Sequence, residues 1–346
     1  MKVLQLLGLF FFSIAAYSGQ IYVANYDDNS VSVIDSTTLS VTTTIPVGDN
    51  PDGIEATPDG KKVYVVNRND DNLSIIDTQT NSVIGKVAVG VFPVAIAFSP
   101  DGSKAYVTNQ DDDTVTVVDT AINSAVHTVA VGSMPVGVAV TPDGTKAYVT
   151  NISNNTVSVI NTSTNSVIKT ISVGTDPEYP AITPDGSKVY VTNYSSDSVS
   201  VINTNTNSVI KTIAVGDGPI GIAVSHDGSK IYVANYKDNT ISVINSATDS
   251  IIDTIPTGNG PRNIAISLDD TQIYVTNVND NTLSVIDATT YNILKSITVG
   301  KRPYGIAIVS DPQQITTTAT VPLTSQSLFI LVGLILLAGI AHRRFA

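Results

Sequence analysis

Short runs of apolar residues recur along most of this chain, separated by clusters of turn-forming residues. In one copy, residues 190–231, the runs are 190–193, 198–202, 209–215 and 221–224. They are rich in β-branched residues, and the second alternates polar with apolar positions, as is typical of half-buried strands. The Asn, Asp, Ser and Gly clusters between them predict tight turns. Each copy is therefore predicted to form a four-stranded antiparallel sheet.

Seven copies follow one another without insertion or deletion. Their tyrosines recur every 42 residues: Tyr22, Tyr64, Tyr106, Tyr148, Tyr190, Tyr232 and Tyr274. An asparagine three places later, a loop glycine and a loop proline keep the same interval. A period of about 40 to 45 residues with several short strands is typical of propeller blades. The predicted fold class is all-β: a seven-bladed β-propeller of four-stranded antiparallel blades.

The order of the strands predicts how the ring closes. The repeats open on the tyrosine strand and end on an inner strand, residues 305–309. One blade must then combine three N-terminal strands with one C-terminal strand, a 3+1 closure that leaves no free edge inside the ring. This scheme predicts that Asp311 lies beside Gln20.

Three repeated motifs carry a family resemblance: Tyr-Val-Thr-Asn at positions 106, 148, 190 and 274, the Val-Gly-x-x-Pro loop, and the Pro-Asp-Gly turn. In them the chain resembles the YVTN β-propeller repeat family, over roughly residues 20–311. Members of that family look like surface-layer, secreted and periplasmic proteins. The resemblance implies an extracytoplasmic seven-bladed propeller and says little about chemistry.

Both ends of the chain depart from the repeat. Residues 1–18 place one lysine before an apolar core and predict a signal peptide cleaved before Gly19, with a retained anchor as the alternative. Residues 19–311 are the predicted propeller. Residues 312–326 form a threonine-rich linker, and residues 327–346 a hydrophobic anchor with a basic tail.

The C-terminal segment allows two interpretations. Arg343 and Arg344 follow an apolar run at 328–341, so a membrane span here would leave the propeller outside. Residues 321–325 resemble, loosely, two bacterial C-terminal sorting signals, the Ile-Pro-Thr-Leu type and the Leu-Pro-x-Thr-Gly type. The segment is therefore either a plain tail anchor or a signal cleaved by a sorting peptidase. In both cases we expect a secreted, periplasmic or cell-surface protein.

The composition of the chain limits the classes of partner that it could bind. The net charge is -12, and the 18 basic residues are scattered, which argues against a nucleic-acid surface. The chain has no cysteine, so thiolate metal sites and cysteine nucleophiles are excluded. We expect a monomer that contacts membrane only through its C-terminal segment. The expected partner is a protein, a glycan or a cationic ligand.

Candidate catalytic groups are few. The three histidines, His127, His226 and His342, share no blade and no metal-binding spacing, so each is interpreted as a surface or turn residue. No Gly-x-Ser-x-Gly elbow occurs. The repeated asparagine is interpreted as a turn residue that bonds nearby backbone, and the repeated tyrosine as a core residue.

Differences between the copies point to the rim of the central funnel. The positions that open the innermost strand vary most, and alanine occupies one column in six copies but Glu55 in the first. An unpaired charge there is costly unless it is solvated. The candidate ligand-binding residues are Asp52, Glu55, Glu178, Tyr179, Arg262, Asn263 and Tyr304. The alternative is that these differences between copies are sequence drift without a function, at the water-filled opening of the funnel.

The predicted function is a non-catalytic binding scaffold of the cell envelope. One alternative is a metal-dependent hydrolase or lyase with its site in the funnel, where Glu55 and Asn263 would be the first calcium ligands to test. The other is a structural surface-coat protein. No catalytic residue and no cofactor other than calcium is expected. Aspartates in the loops on the funnel side predict a negative face that concentrates cations.

Overall fold

The computed structural model describes residues 19–310. The chain divides into two units, residues 1–311 and residues 312–346, and every described residue belongs to the first. The predicted signal peptide, linker and anchor therefore lie outside the described residues. No helix within the described range is long and apolar enough to cross a membrane.

The described strands form seven four-stranded sheets, one per blade. The inner strands are β4 (Pro51–Ala56), β8 (Pro93–Phe98), β12 (Pro135–Val140), β16 (Pro177–Ile182), β20 (Pro219–Val224), β24 (Pro261–Ile266) and β28 (Pro303–Ser310). The second strands, which carry the repeated tyrosines, are β1 (Gly19–Asn25), β5 (Lys62–Asn67), β9 (Lys104–Asn109), β13 (Lys146–Asn151), β17 (Lys188–Asn193), β21 (Lys230–Asn235) and β25 (Gln272–Asn277).

The two outer positions of each sheet complete the blade. The third strands are β2 (Ser30–Asp35), β6 (Asn72–Asp77), β10 (Thr114–Asp119), β14 (Thr156–Asn161), β18 (Ser198–Asn203), β22 (Thr240–Asn245) and β26 (Thr282–Asp287). The fourth strands are β3 (Ser40–Pro46), β7 (Ser82–Ala88), β11 (Ser124–Ala130), β15 (Ser166–Ser172), β19 (Ser208–Ala214), β23 (Ser250–Pro256) and β27 (Ile293–Thr298). A 3-10 turn spans Tyr194–Ser196.

The hydrophobic core lies between blades as well as within them. Tyr22 of one blade packs in the same buried cluster as Ile54 and Val63 of the next. Because each blade is covered on both faces, the second and third strands are buried along nearly their whole length rather than on alternate positions. This burial on both faces holds the inner strands in a fixed ring around the channel.

The predicted ring closure is confirmed. The strand order β28-β1-β2-β3 combines one C-terminal strand with three N-terminal strands. The register differs from our prediction by two residues, since Gln20 lies opposite Val309 and Gly19 opposite Ser310. A shift of two residues keeps every side chain on its predicted face, because side chains alternate with a period of two.

The repeated asparagines tie the loops around the funnel to the blades. Asn67 is fully buried, and its Oδ1 accepts a hydrogen bond from the N–H of Gly48 at 3.1 Å. Equivalent bonds occur at Asn25, Asn109, Asn151 and Asn193. A Cβ at Gly48 would lie 2.5 Å from Cγ of Asn67. Glycine is thus required here for space. The asparagine was expected to bond nearby backbone within its own turn, but its backbone partner is the N–H of Gly48, 19 positions earlier in the chain.

Candidate active site in the central channel

The inner strands enclose a cavity of about 380 Å³. All seven of them contribute lining residues, from Asp52 near the start of β4 to His226, just beyond the end of β20. The cavity therefore extends along the channel from the face where inner strands begin to the face where they end. A volume of this size suits a small molecule, since ligand pockets occupy about 300 to 1,000 Å³.

The seven predicted site residues separate into two groups. Four of them line the cavity: Asp52, Glu55, Tyr179 and Asn263. The other three, Glu178, Arg262 and Tyr304, each follow the proline that opens an inner strand and lie at the rim.

Glu55 projects from near the end of β4 into the channel. Its side chain contacts solvent, yet the seven inner strands surround it, and this burial raises the pKa of Glu55 from its ordinary 4.5 to about 7. No described residue donates a hydrogen bond to its carboxylate or forms an ion pair with it. The same carboxylate also lines an adjoining cavity of about 400 Å³. Glu55 is a carboxyl group that can exchange a proton near neutral pH.

Tyr179 and Asn263 bring two hydrogen-bond donors to the same cavity. Their backbone N–H groups are fixed by the hydroxyl oxygens of Thr192, at 3.1 Å, and Thr276, at 3.0 Å. Their side chains make no hydrogen bond with a described residue. Burial, followed by the nearby Asp52, raises the pKa of Tyr179, so its phenol stays a neutral donor.

Asp52 is neutralised by two arginines. Its carboxylate is almost fully buried and lies 3.0 Å from Nη1 of Arg68 and 3.4 Å from Nη2 of Arg262. The other terminal nitrogen of Arg68 donates to Oε1 of Gln110 at 2.7 Å. Asp52 therefore adds little net charge to the face that the loop aspartates were expected to make negative, because its carboxylate is paired with two arginines.

A stack of aromatic and guanidinium groups closes one side of the rim. The guanidinium of Arg262 lies 3.7 Å from the ring centre of Tyr304, and the Tyr304 ring stacks on Tyr26 with centres 4.5 Å apart. Arg302 donates to the Tyr304 hydroxyl at 2.6 Å. These cation–π and stacking contacts stabilise the rim next to Asp52.

Glu178 lies across the ring from this cluster. Burial raises its pKa to about 7; the charge of Arg262 opposes the shift, while those of Asp52 and Asp176 add to it. Its side chain has no hydrogen-bond partner among the described residues, but its backbone carbonyl accepts a bond from Thr150. Glu178 is thus a second carboxyl group that titrates near neutrality, held at the rim.

Sequence reasoning missed the residues that partner Asp52 and Tyr304. Arg68 and Gln110 follow the repeated asparagine, and Arg302 precedes the loop proline; both columns vary between copies, and their comparison could have found them. Phe92 shares the column of Arg302, and both have left-handed backbone, with φ of 53° and 50°. Bulky residues rarely adopt that conformation, which indicates that their side chains are needed at the rim.

Loop aspartates on the funnel side are also engaged with the protein. Asp112 accepts a hydrogen bond from the N–H of Val91 at 2.6 Å, and Asp280 accepts one from Asn259 at 2.7 Å. These bonds join the loop after the second strand of one blade to the loop that enters its inner strand. The two sets of loops therefore lie on the same face, as predicted, and the aspartates stabilise their junctions.

The predicted metal ligands do not form a set. Within residues 19–310, no three Asp, Glu, His or Cys side chains come together in a way that could hold a metal ion. Glu55 and Asn263 supply two oxygen donors to the channel, fewer than the six to eight oxygens that calcium takes. The described acidic and histidine side chains therefore do not assemble a metal site on their own.

His226 was expected to be an ordinary turn residue, and this expectation is incomplete. The structure places it in the wall of the channel, with Nδ1 2.8 Å from Oδ1 of Asp270. Position alone did not reveal this contact, because the two residues are 44 positions apart and belong to neighbouring blades.

Comparison with known proteins finds two family matches, each over part of the chain. Residues 7–126 match a family described as lactonase, 7-bladed beta-propeller. Residues 209–313 match a family described as YNCE-like beta-propeller. A search of curated proteins gives no match.

Solved structures share the fold at low sequence identity. A hydrazine synthase structure from Kuenenia stuttgartiensis is 22% identical, with a TM-score of 0.73 over 79% of this chain and 93% of that one. A protein of unknown function from Desulfotomaculum acetoxidans is 20% identical, with a TM-score of 0.77 over 85% and 99%. A Bacteroides uniformis protein classed as a 6-phosphogluconolactonase is 19% identical, with a TM-score of 0.74 over 85% and 100%.

These comparisons overturn the expectation of a non-catalytic scaffold. The family that matches residues 7–126 is one of lactonases, which favours the hydrolase alternative over both the binding scaffold and the surface coat. The expectation failed because the repeat specifies the fold and gives no information about the chemistry. The chain is a seven-bladed β-propeller that is similar, over residues 7–126, to a lactonase family.

Proposed function

We propose that this protein is a hydrolase that opens a small cyclic ester in its central channel. The lactonase match supports the reaction class. The observation that carries the proposal is Glu55, a carboxyl group with a pKa of about 7 and no described partner, in a cavity of about 380 Å³. A general base with a pKa near the working pH is the most effective, because it is largely ionised and still accepts a proton.

The residues of the cavity divide the reaction between them. Glu55 takes a proton from a water molecule as the water oxygen attacks the ester carbonyl. The neutral phenol of Tyr179 and the amide of Asn263 donate hydrogen bonds to the oxygen that becomes negative in the tetrahedral intermediate. No step is routed through a metal, since the described donor set does not hold one.

The proposal extends to where the protein acts. Residues 1–18 are proposed to be a signal peptide and residues 327–346 an anchor or sorting segment, so that the propeller works outside the cytoplasm as a monomer. The resemblance to YVTN-type repeats supports this location outside the cytoplasm. A glycan or a cationic molecule stays a candidate ligand for the rim, where the carboxyl group of Glu178 has no hydrogen-bond partner among residues 19–310.

Replacement of Glu55 tests the function. We expect the purified protein to hydrolyse at least one member of a panel of five- and six-membered lactones, and Glu55→Ala to lower kcat by about 10²- to 10⁴-fold. Alanine occupies this column in six other copies, so the variant retains the fold and its loss of activity is chemical. The acidic limb of the pH profile near 7 should disappear with it. Full activity in Glu55→Ala would overturn the role of Glu55.

A further inference from the structure

Neighbouring blades meet at the end of the channel opposite the Asp52 rim through a repeated contact. At four junctions, the glycine of one Pro-Asp-Gly turn lies against the proline of the turn in the preceding blade. A Cβ at Gly102 would lie 3.2 Å from Cδ of Pro58, and the same arrangement recurs at Gly144, Gly186 and Gly228. These glycines have left-handed backbone, with φ between 69° and 72°. This glycine–proline contact therefore packs neighbouring blades together at four junctions without any polar side chain.

One junction replaces both members of this pair together. His226 stands where four of the turns have proline, and Asp270 stands in the next blade where five of the turns have glycine. Asp270 keeps the left-handed backbone, with φ of 56°, and so retains a conformation that glycine adopts at lower cost. The two departures from the repeat fall on residues that contact each other, which indicates that His226 and Asp270 act together.

The contact fixes the imidazole. Oδ1 of Asp270 lies 2.8 Å from Nδ1 of His226 and accepts the backbone N–H of His226 at 2.9 Å; Oδ2 accepts the N–H of Asp227 at 3.1 Å. The carboxylate thus holds the proton on Nδ1 and leaves Nε2 for another group. No hydrogen bond from Nε2 to a described residue exists, and His226 lines the channel cavity.

Other charges on the two turns are committed to their own loops. Asp227 bonds Ser225 and Ser229, and Asp269 bonds Ser267 and Thr271. The ammonium of Lys230 lies above the Tyr291 ring. Asp270 is the carboxylate that contacts the imidazole, and Glu55, which has no partner among the described residues, lines the same cavity.

We propose that His226 is the general acid of the channel and that Asp270 is the residue that positions it. This inference rests on the proposed hydrolase. Nε2–H of the His226 imidazolium gives its proton to the ring oxygen as the bond from that oxygen to the carbonyl carbon breaks. Glu55 has meanwhile taken a proton from the attacking water. Water adds across the ester bond to give a hydroxy acid, and the two side chains regain their starting protonation through solvent.

The chain itself supplies the control for folding. The double variant His226→Pro with Asp270→Gly restores the pair found at four other junctions, so we expect an unchanged Tm. It should lower kcat on a hydrolysed lactone by about 10²-fold or more, as should His226→Gln. His127→Gln, which removes an exposed histidine from an outer strand, should retain full activity.

A pH profile separates positioning from mere packing. A general acid must carry its proton, so we expect activity to fall on the basic side of the pH profile. Asp270→Asn removes the negative charge that stabilises the imidazolium, and this basic limb should move to lower pH. In wild type, nitrogen-15 spectra of the neutral His226 imidazole should show the proton on Nδ1, and this preference should disappear in Asp270→Gly.

The outcomes distinguish the two proposals. If Glu55→Ala loses activity while the His226→Pro/Asp270→Gly variant retains it, the acid role of His226 is overturned and the hydrolase stands. A basic limb unmoved by Asp270→Asn also overturns the positioning role. A wild-type protein that opens no lactone overturns both proposals together.

Discussion

At the scale of single residues, the buried tyrosine of each blade supports the ring in two ways. Its aromatic ring fills the space between blades, as the repeat predicts. Its hydroxyl also reaches the next blade: the oxygen of Tyr148 lies 2.6 Å from Oδ1 of Asn207, and that of Tyr64 lies 2.6 Å from Oδ1 of Asn123. These asparagines have left-handed backbone, a second reason for their presence.

Tyr106 lacks this bond and offers a matched control for Tyr148. The hydroxyl of Tyr106 is buried without a partner among the described residues. We expect Tyr148→Phe to lower the free energy of unfolding by about 1 kcal/mol, since it breaks a buried hydrogen bond and strands Asn207. Tyr106→Phe should be neutral or stabilising. Denaturant unfolding measures both, and equal effects of the two changes would contradict the assignment.

At the scale of elements, the inner strands hold the site and the outer strands protect the sheet. Each outer strand has one exposed edge, and four of them carry a lysine in mid-strand: Lys86, Lys169, Lys211 and Lys295. Each outer strand also has a register shift against its neighbour. Charge and irregularity on an edge discourage pairing with another chain. Because the outer strands protect the sheet in this way, the inner strands can differ from one copy of the repeat to another.

The carboxyl group on β4 makes stability depend on pH. Between pH 4.5 and about 7, folded Glu55 keeps a proton that the unfolded chain has released, so stability falls as pH rises through this window. Glu55→Ala removes that loss. Water in the channel solvates part of the charge, so the expected effect is reduced accordingly. We expect Glu55→Ala to raise the free energy of unfolding by about 1 kcal/mol at pH 8, roughly 2 °C in Tm, and to change it little at pH 4.

The reverse substitution tests the same physics. Ala139→Glu places a carboxyl group at the equivalent position of β12 and should destabilise the protein more at pH 8 than at pH 4. Thermal unfolding of the three proteins at both pH values measures the difference. A pH-independent effect of Glu55→Ala would show that its carboxyl group is as well solvated in the folded protein as in the unfolded chain.

At the scale of the whole molecule, one blade joins the two ends of the described chain. Pairing of β28 with β1 places Gln20 opposite Val309 and closes the ring without a free inner edge. The other six blades are each built from one continuous segment. Separation of β28 from β1 would therefore open the ring and leave the other six blades intact.

A disulfide across this joint should stabilise the ring. The chain contains no cysteine, so Gln20→Cys with Val309→Cys creates a single pair at facing Cα positions. We expect the oxidised variant to gain about 2 to 4 kcal/mol, because the unfolded chain is then constrained by a long loop. Addition of a reductant should reverse the gain, and Gln20→Cys alone is the control. No gain on oxidation would mean that unfolding begins elsewhere.

The sequence by itself determined the fold of this protein. Seven copies of one pattern predicted the number of blades, the strands of each blade, the tyrosine core and the 3+1 closure, because periodicity records which residues face the core. It also singled out Glu55, Tyr179 and Asn263, since they depart from the internal repeat at positions next to the channel.

Only the tertiary structure decided which departures act together. Asp52 and Arg262 are 210 positions apart, and His226 and Asp270 are 44 apart; both contacts join different blades. The pairing neutralised a charge that the sequence suggested was free and revealed a histidine that it suggested was idle. The physical reason is that strand patterns are local, whereas the protonation and reach of a side chain depend on the groups that ring closure brings against it.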